Sequence, residues 1–441
     1  MTDRPLTILF LPESAYGPTG NCIGIGDVLL QRGHRVVFAA ESSWKGKLEP
    51  LGFVEDLIDL APPAEEPAAG EPAADAGAFW KEFIRETSPE FRKPTVQQLE
   101  TFIAPTYQAL IDGAKYCEPH LRDIIARQQP NVVVEDNVVA FPALLTAEAP
   151  FVRIVSCNPL EIKGPGVAPT FSGLPADDDG EWGSFRAEYE RTHRAMWKDF
   201  NSFVMSCGAK SLPDLDFMPV SSHANLYLFP EEADYVDSRP LDKTWHRIDS
   251  SVRSTDDPFE LPAEFAARPS DSALVYLSLG SLGSADVDLM KRLVDVLGRT
   301  RHRFIVSKGP QHSEYQLAEN MWGAEFLPQT SLMPFVELVI THGGNNTTTE
   351  ALHFGKPMVL LPLFWDQYDN AQRMDELGFG RRLQTYAFSD EELIDSVEQL
   401  LADAALRQRM TSMGEQIRAR RGKERAADLI EQVARTHRDG G

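Results

Sequence analysis

The chain has 441 residues, and since most domains contain about 100 to 200 residues, this length predicts two domains and excludes a single small module. Hydrophobic residues make up 42% of the chain and charged residues 25%, a balance that excludes global disorder. With 43 basic and 66 acidic residues the formal net charge is -23, which argues against nucleic acid or anionic lipid as a partner.

The first residues are typical of a buried strand rather than of a targeting segment. Residues 6–11 read Leu-Thr-Ile-Leu-Phe-Leu, and they lack the basic region and longer apolar core of a signal peptide. No stretch of the chain approaches about 18 uninterrupted apolar residues, the length that a membrane-spanning helix needs. We therefore expect a cytoplasmic protein without a membrane span.

Short apolar runs alternate with amphipathic stretches in both halves of the chain. Such alternation predicts an α/β fold, in which parallel sheets are joined by crossover helices. The runs lie at residues 6–11, 34–40, 132–134 and 151–155 in the first half, and at 274–279, 304–307, 338–341 and 358–361 in the second.

Segments poor in core residues divide the chain. Residues 61–78 are dominated by Ala, Pro, Gly and Glu, so a disordered acidic loop is predicted there. Charge and turn formers predict an interdomain linker at 236–268, between a first domain at 1–235 and a second at 269–415. Residues 416–441 are expected to form a C-terminal helix that packs back on the first domain.

Neither the cysteines nor the acidic patches predict a metal site. The four cysteines lie far apart, without the Cys-x-x-Cys spacing of zinc sites. The acidic residues at 176–181, and Asp214 with Asp216, are interpreted as solvated turns rather than as ligands of a divalent cation.

The segment from Leu338 to Gln367 carries the clearest chemistry. A buried strand ends at Thr341, two glycines allow a tight turn, and hydroxyl and amide residues begin a helix that runs to Phe354. Free N–H groups at the start of this helix and the positive end of its dipole can hold a diphosphate, and His342 adds a hydrogen-bond donor. A purely structural histidine at the start of the helix is the alternative for His342.

Three further polar side chains extend this candidate site. Glu350 lies one turn further on the same helix face, where its carboxylate can accept two ribose hydroxyls. Asp366 and Gln367 follow the next strand, at the sheet edge where open α/β sheets bind ligands, and they suit sugar hydroxyls. A helix-capping role for Asp366 and Gln367 is the alternative.

This ordered set resembles the UDP-glycosyltransferases of glycosyltransferase family 1, and it is closer to the animal and bacterial branches than to the plant branch. The resemblance implies the GT-B fold, in which two Rossmann-like, doubly wound domains face one another across a cleft. The family box reads His-x-Gly-x-Asn-Ser/Thr-x-x-Glu, followed by Gly-x-Pro and Asp-Gln. It stands here as His342, Gly344, Asn346, Thr347, Glu350, Gly355, Pro357, Asp366 and Gln367.

Two other segments extend the resemblance on the donor side. Residues 276–281 look like the family's Gly-Ser donor loop, which implies a donor contact for Ser281. Residues 326–329 are similar to the Trp-x-Pro-Gln segment, which implies that Phe326 stacks on uracil and that Gln329 helps to hold UDP.

The acceptor side departs from the family pattern at one position. The family's catalytic histidine stands fourteen residues before the Arg of an Arg-Gly-His turn, and counting back from Arg32 gives Pro18. Proline cannot accept a proton, and no histidine precedes His34. The aspartate of the family's catalytic dyad does match, at Asp136.

Without the histidine, two routes of acceptor activation stay open. Asp136 can deprotonate the acceptor directly or through water, or it can simply cap a helix. Otherwise the acceptor is an amine, a carboxylate or an acidic phenol that needs little help from a base. Family members with proline or an apolar residue in place of the histidine are associated with amine acceptors.

The resemblance implies a metal-independent, inverting enzyme that moves a hexose, glucose first, from a UDP-sugar to a small apolar acceptor. No cofactor beyond this donor is expected, and the protein is expected to be a monomer or homodimer. Two other functions stay open: a catalytically silent protein that binds UDP-sugars, and a GT-B-type epimerase of nucleotide sugars.

Overall fold

The computed structural model describes residues 4–62, 86–254, 257–266, 269 and 271–440. Residues 63–78 of the predicted acidic loop, and a few residues of the predicted linker, lie outside these ranges. The described chain forms two parallel sheets, one in each half.

The first sheet has the order β3-β2-β1-β4-β5-β6-β7, and all of its neighbouring strands run parallel. The order reverses between β1 and β4, so their carboxyl ends flank a crevice of the kind that binds ligands in open α/β sheets. The strands are β1 (Thr7–Pro12), β2 (Arg35–Phe38), β3 (Val54–Glu55), β4 (Val132–Asp136), β5 (Phe151–Val155), β6 (Ala224–Tyr227) and β7 (Trp245–Arg247).

The second sheet has the order β10-β9-β8-β11-β12-β13, again all parallel, with its reversal between β8 and β11. The prediction of two Rossmann-like, doubly wound domains is confirmed. The strands are β8 (Leu274–Ser278), β9 (Arg303–Ser307), β10 (Met321–Ala324), β11 (Leu338–Thr341), β12 (Met358–Leu360) and β13 (Gly380–Arg382).

The helices cover both faces of each sheet, as the crossover connections of parallel strands require. They are α1 (Tyr16–Gln31), α2 (Thr95–Gln98), α3 (Ala104–Gln128), α4 (Pro142–Leu145), α5 (Trp182–Ser206), α6 (Ala263–Ala266), α7 (Gly280–Gly283), α8 (Val287–Leu297), α9 (Gln329–Leu332), α10 (Asn345–His353), α11 (Gln367–Glu376), α12 (Asp390–Ala402), α13 (Ala404–Ala419) and α14 (Gly422–Gly440).

The last helix lies against the first sheet. Ala426, Ile430 and Ala434 recur every four residues on one face of α14, are fully buried, and join the apolar cluster beneath α1. At the crossing from α13, Arg420 pairs with Glu232 (2.7 Å) and Asp249 (3.0 Å), which precede and follow β7. The C-terminus therefore straps the second half of the molecule to the first.

Aromatic packing joins the two halves close to the ends of the strands. The loop after β12 carries Phe364, whose ring centroid lies 4.7 Å from that of Phe91. Next to it, Trp365 packs against Phe171 (4.7 Å) and Tyr107 (5.1 Å) of the first half. These contacts hold the carboxyl edges of the two sheets against one another.

Candidate donor and acceptor site

The turn between β11 and α10 is built from two glycines. Gly343 has a φ of 85°, a left-handed conformation that favours glycine, and a Cβ there would lie 3.0 Å from the carbonyl oxygen of Gln367. Gly344 occupies the N-cap position and has no side chain with which to cap α10. The backbone N–H groups of the first helical turn are thus left for an anion.

His342 lies between two glycines at this turn. A Cβ on Gly280 would stand 2.8 Å from its Cε1, and a Cβ on Gly344 would stand 2.6 Å from its Nε2. Only residues without a Cβ leave room for the ring in this position, and Gly280 also has a φ of 71°. The sequence pattern did not single out Gly280 for this role.

Hydrogen bonding next to His342 is compatible with the tautomer that carries its proton on Nε2. The N–H of Gly343 donates to Thr341 Oγ1 (3.3 Å), so the hydroxyl proton of Thr341 can point to His342 Nδ1 (3.3 Å). In that tautomer the imidazole proton lies on Nε2, at the start of α10. Burial lowers the pKa of His342 to about 4, so the ring is a neutral donor at physiological pH.

We expect Gly344→Ala to weaken UDP binding roughly tenfold or more, because its Cβ would displace the ring and cover Nε2. Calorimetric titration with UDP measures this effect. Gly183→Ala in α5 is the matched control, since nothing lies within 4 Å of its added Cβ. Equal affinity of the two variants for UDP would contradict the role of this turn in UDP binding.

Glu350 belongs to a polar network beside α10. Its Oε2 accepts a hydrogen bond from Gln329 Nε2 (2.6 Å), which also donates to Thr347 Oγ1 (3.2 Å). The hydroxyl of Tyr276 in turn donates to Gln329 Oε1 (3.0 Å). The structure therefore brings together three of the residues predicted to bind the sugar donor, namely Gln329, Thr347 and Glu350. It adds Arg253, which lies 3.2 Å from Glu350 Oε1 and which sequence reasoning missed because it sits in the linker.

Phe326 stands at the rim of the cleft, where its side chain is half exposed. Its ring centroid lies 6.0 Å from that of Tyr16, at the start of α1, and Tyr16 is exposed to the same degree. Two half-exposed aromatic rings from opposite halves thus form one edge of the cleft, which suits a planar base. The side chain of Ser281 lies outside the described part of the structure.

The side chains of Asp366 and Gln367 accept hydrogen bonds from backbone groups of the protein. Asp366 Oδ2 accepts a hydrogen bond from the backbone N–H of Asn158 (2.7 Å), in the other half, and the residue is buried. Gln367 Oε1 accepts bonds from the N–H groups of Leu363 (3.0 Å) and Phe364 (3.2 Å). Asp366 makes no capping bond to α11, and its hydrogen bond from Asn158 is an interdomain contact; its contact with the sugar stays a prediction.

Asn346 also bridges the halves. Its Nδ2 donates to the carbonyl oxygen of Gly17 (2.9 Å), and its Oδ1 accepts from Asn21 Nδ2 (2.7 Å). The first turns of α1 and α10 are therefore in direct contact. Pro18 lies in that first turn of α1, where the missing N–H of a proline costs no helix hydrogen bond.

Asp136 ends β4 and is only 2% exposed. Its Oδ1 accepts a hydrogen bond from Ser156 Oγ (2.7 Å), and its Oδ2 lies 4.0 Å from Cys22 Sγ. Burial raises the pKa of Asp136 to about 7, with a further contribution from the carboxylate of Glu13, while the Ser156 hydrogen bond opposes the shift. Burial raises the pKa of Glu13 to about 7 as well.

The described residues form neither a metal-binding cluster nor a membrane-spanning helix. Within the described ranges, no three His, Cys, Asp or Glu side chains are grouped so that they could hold a metal ion. Among the helices that the structure describes, none has the length and apolarity to cross a bilayer.

The sequence matches a family model over residues 191–426, more than half of the chain. That model is described as "UDP-glucoronosyl and UDP-glucosyl transferase". The chain belongs to this family. It is therefore a glycosyltransferase, and the family resemblance predicted from the motifs is confirmed.

Curated relatives cover most of this chain. It is 23% identical to the NDP-glycosyltransferase YjiC of Bacillus subtilis, over 95% of this chain and 94% of the relative. It is 25% identical to the demethyllactenocin mycarosyltransferase of Streptomyces fradiae, over 97% and 86% of the two chains. The sterol 3-beta-glucosyltransferase of Yarrowia lipolytica is 25% identical over 92% of this chain, which spans only 27% of that longer protein.

Solved structures of glycosyltransferases share the architecture. The glycotransferase of kitacinnamycin superposes with a TM-score of 0.70 at 21% identity, over 98% of this chain and all of the other. The calicheamicin glycosyltransferase CalG4 gives a TM-score of 0.63 at 18% identity, with 98% of both chains covered. The predicted GT-B fold is confirmed.

Proposed function

We propose that this glycosyltransferase moves a hexose from a UDP-sugar, UDP-glucose first, to a small apolar acceptor, with inversion and without a metal ion. The observation that carries the proposal is the contact between the first turns of α1 and α10 through Asn346, Gly17 and Asn21. It brings the position of the family's catalytic base, here Pro18, next to the expected diphosphate site.

Uncharged hydrogen-bond donors assist the departure of the nucleoside diphosphate. The N–H groups of the α10 start and Nε2–H of His342 point at the site where charge develops on the leaving oxygen. Because these donors are fixed before the sugar binds, they stabilise the transition state without a divalent cation. Gln329, Thr347 and Glu350 hold the nucleoside part, and Phe326 stacks on its base.

The acceptor is a nucleophile that needs little activation. Pro18 offers no proton acceptor, and Asp136 is buried against Ser156 and Cys22. We therefore propose arylamines, carboxylates and acidic phenols as the acceptor class. Aliphatic alcohols, which require a strong base, are expected to be poor acceptors.

Asp136 is proposed as a weak base for arylamines. With a pKa of about 7, its ionised fraction falls as the pH is lowered through 7, so kcat/KM should fall in that direction. Asp136→Asn should remove this pH dependence and reduce the arylamine rate only about tenfold, because such a nucleophile needs little help from a base, while an already ionised phenol should be hardly affected. Glu13→Gln removes the other carboxyl that titrates in this range; because the Glu13 charge raises the pKa of Asp136, the pH dependence should remain in this variant and move to lower pH. Equal losses for both acceptor types would contradict the role of Asp136 as a base.

A nucleotide-release assay tests the whole proposal. UDP-glucose, other UDP-hexoses and dTDP-glucose are offered with each acceptor class, since the name of the Bacillus subtilis relative leaves its nucleotide open and one solved neighbour holds dTDP. Release should depend on acceptor and remain unchanged in EDTA. A strict Mg²⁺ requirement would contradict metal independence. UDP binding without release on any acceptor would favour the silent alternative, and free epimerised sugar without acceptor would favour an epimerase.

A further inference from the structure

Arg253 reaches from the linker into the groove beside α10. Its Nη1 lies 3.2 Å from Glu350 Oε1, and the side chains of Arg253 and Glu350 are 22% and 5% exposed. A Cβ on Gly20 would stand 3.3 Å from the same Nη1 and 3.8 Å from Asn346 Nδ2. The guanidinium therefore lies along the α10 face that carries Asn346 and Glu350.

The sequence motif that forms this groove contributes no cationic side chain. The segment from His342 to Glu350 contains no lysine or arginine, and the chain carries a formal charge of -23. A nucleoside diphosphate brings two or more negative charges to this segment. A guanidinium can meet a phosphate with two parallel N–H···O bonds and brings a full positive charge, which a neutral His342 and the backbone amides lack.

Both carboxylate oxygens of Glu350 already have a partner in the protein before a donor arrives. Its Oε1 is paired with Arg253 and its Oε2 accepts from Gln329 (2.6 Å). Each oxygen can accept a second hydrogen bond, so ribose hydroxyls that bind Glu350 either join these partners or replace one of them. Of the two partners, Arg253 is the one that can bind another anion, because a diphosphate near Asn346 would lie one helical turn away from Glu350.

We propose that Arg253 exchanges partners when the donor binds: it leaves Glu350 for the diphosphate, and the ribose hydroxyls take the carboxylate oxygen that it releases. This inference rests on the proposed nucleotide-sugar site at α10. Arg253, a linker residue, thus makes the cationic contact to the leaving group. Since Arg253 also lies against Gly20 in α1, the exchange links donor occupancy to the contact between the two halves.

Calorimetric titration of the full chain with UDP and with uridine tests the exchange. Arg253→Ala should weaken UDP binding about tenfold or more, because a charge-assisted contact to phosphate is lost. The affinity of this variant for uridine should stay within about twofold of the wild-type value or increase, because the guanidinium no longer occupies Glu350. Arg253→Lys, which keeps the charge but not the fork, should fall between the alanine variant and the wild type.

Two further variants make the result decisive. Arg381→Ala removes an equal charge from an exposed position in β13 and should bind both ligands as the wild type does. Arg253→Gln keeps a long polar side chain, so it replaces the alanine variant if that protein fails to fold. Equal losses of UDP and uridine affinity, or no loss of either, would overturn the exchange. A wild-type protein that binds neither UDP nor dTDP would instead overturn the proposed function, and the exchange with it.

Discussion

His342→Ala is expected to reduce kcat about 100- to 1000-fold, the usual cost of removing one donor from a site that stabilises developing negative charge. The ring is neutral because burial lowers its pKa to about 4, so it acts as a hydrogen-bond donor rather than as a cation. Its contribution is greatest when the bond to the leaving diphosphate breaks. KM for the donor should therefore change less than kcat.

Steady-state kinetics with UDP-glucose and an acidic phenol measure this split. His223→Ala removes an exposed histidine and is the control for the substitution itself. Because His342 stays neutral from about pH 5 upward, it should add no ionisation to the pH profile of kcat between pH 5 and 9. An unchanged kcat with a raised KM would show that His342 only binds the donor.

Pro18→His is expected to raise the rate with aliphatic alcohols about 100-fold or more, the usual contribution of a positioned general base. Position 18 lies one helical turn before Cys22, and Cys22 Sγ is 4.0 Å from Asp136 Oδ2. An imidazole at position 18 would therefore project from the face of α1 that approaches Asp136. The carboxylate can then orient the ring and stabilise its protonated form.

The control for this gain is Pro18→Ala, which removes the proline without adding a base. It should leave alcohols as poor acceptors, while Pro18→His accepts them and keeps its activity on acidic phenols. If the wild-type protein already glycosylates alcohols efficiently and Pro18→His changes nothing, the explanation based on the missing base is wrong.

The donor turn could be predicted because its chemistry is local in the sequence. Strand, glycine turn and helix follow one another within a few residues, so His342 and Glu350 can be placed on one site without knowledge of the fold. The parallel sheets followed likewise from apolar runs. Short strands such as β3 (Val54–Glu55) and β13 (Gly380–Arg382) were not predicted, because two or three residues that include charged side chains leave no apolar run.

The contacts between the halves could not be predicted, since each depends on residues far apart in the chain. The partner of Asp366 lies 208 residues away and that of Asn346 lies 329 residues away. Motif position alone predicts that both side chains serve the donor site, and this stays a prediction beside the interdomain contacts that the structure shows. Arg253 was missed for the converse reason: its segment has no motif, and its role depends on where the linker passes α10.

The rate of nucleotide release across para-substituted phenols of decreasing pKa tests most directly whether transfer proceeds without a histidine base. At constant pH, wild-type kcat/KM should rise with the ionised fraction of the phenol, and an aliphatic alcohol should react at least about 100-fold more slowly than the most acidic phenol. Equal rates for the alcohol and the acidic phenols would mean that the enzyme holds a base strong enough to activate an alcohol, and would contradict the proposal that the acceptor site lacks one.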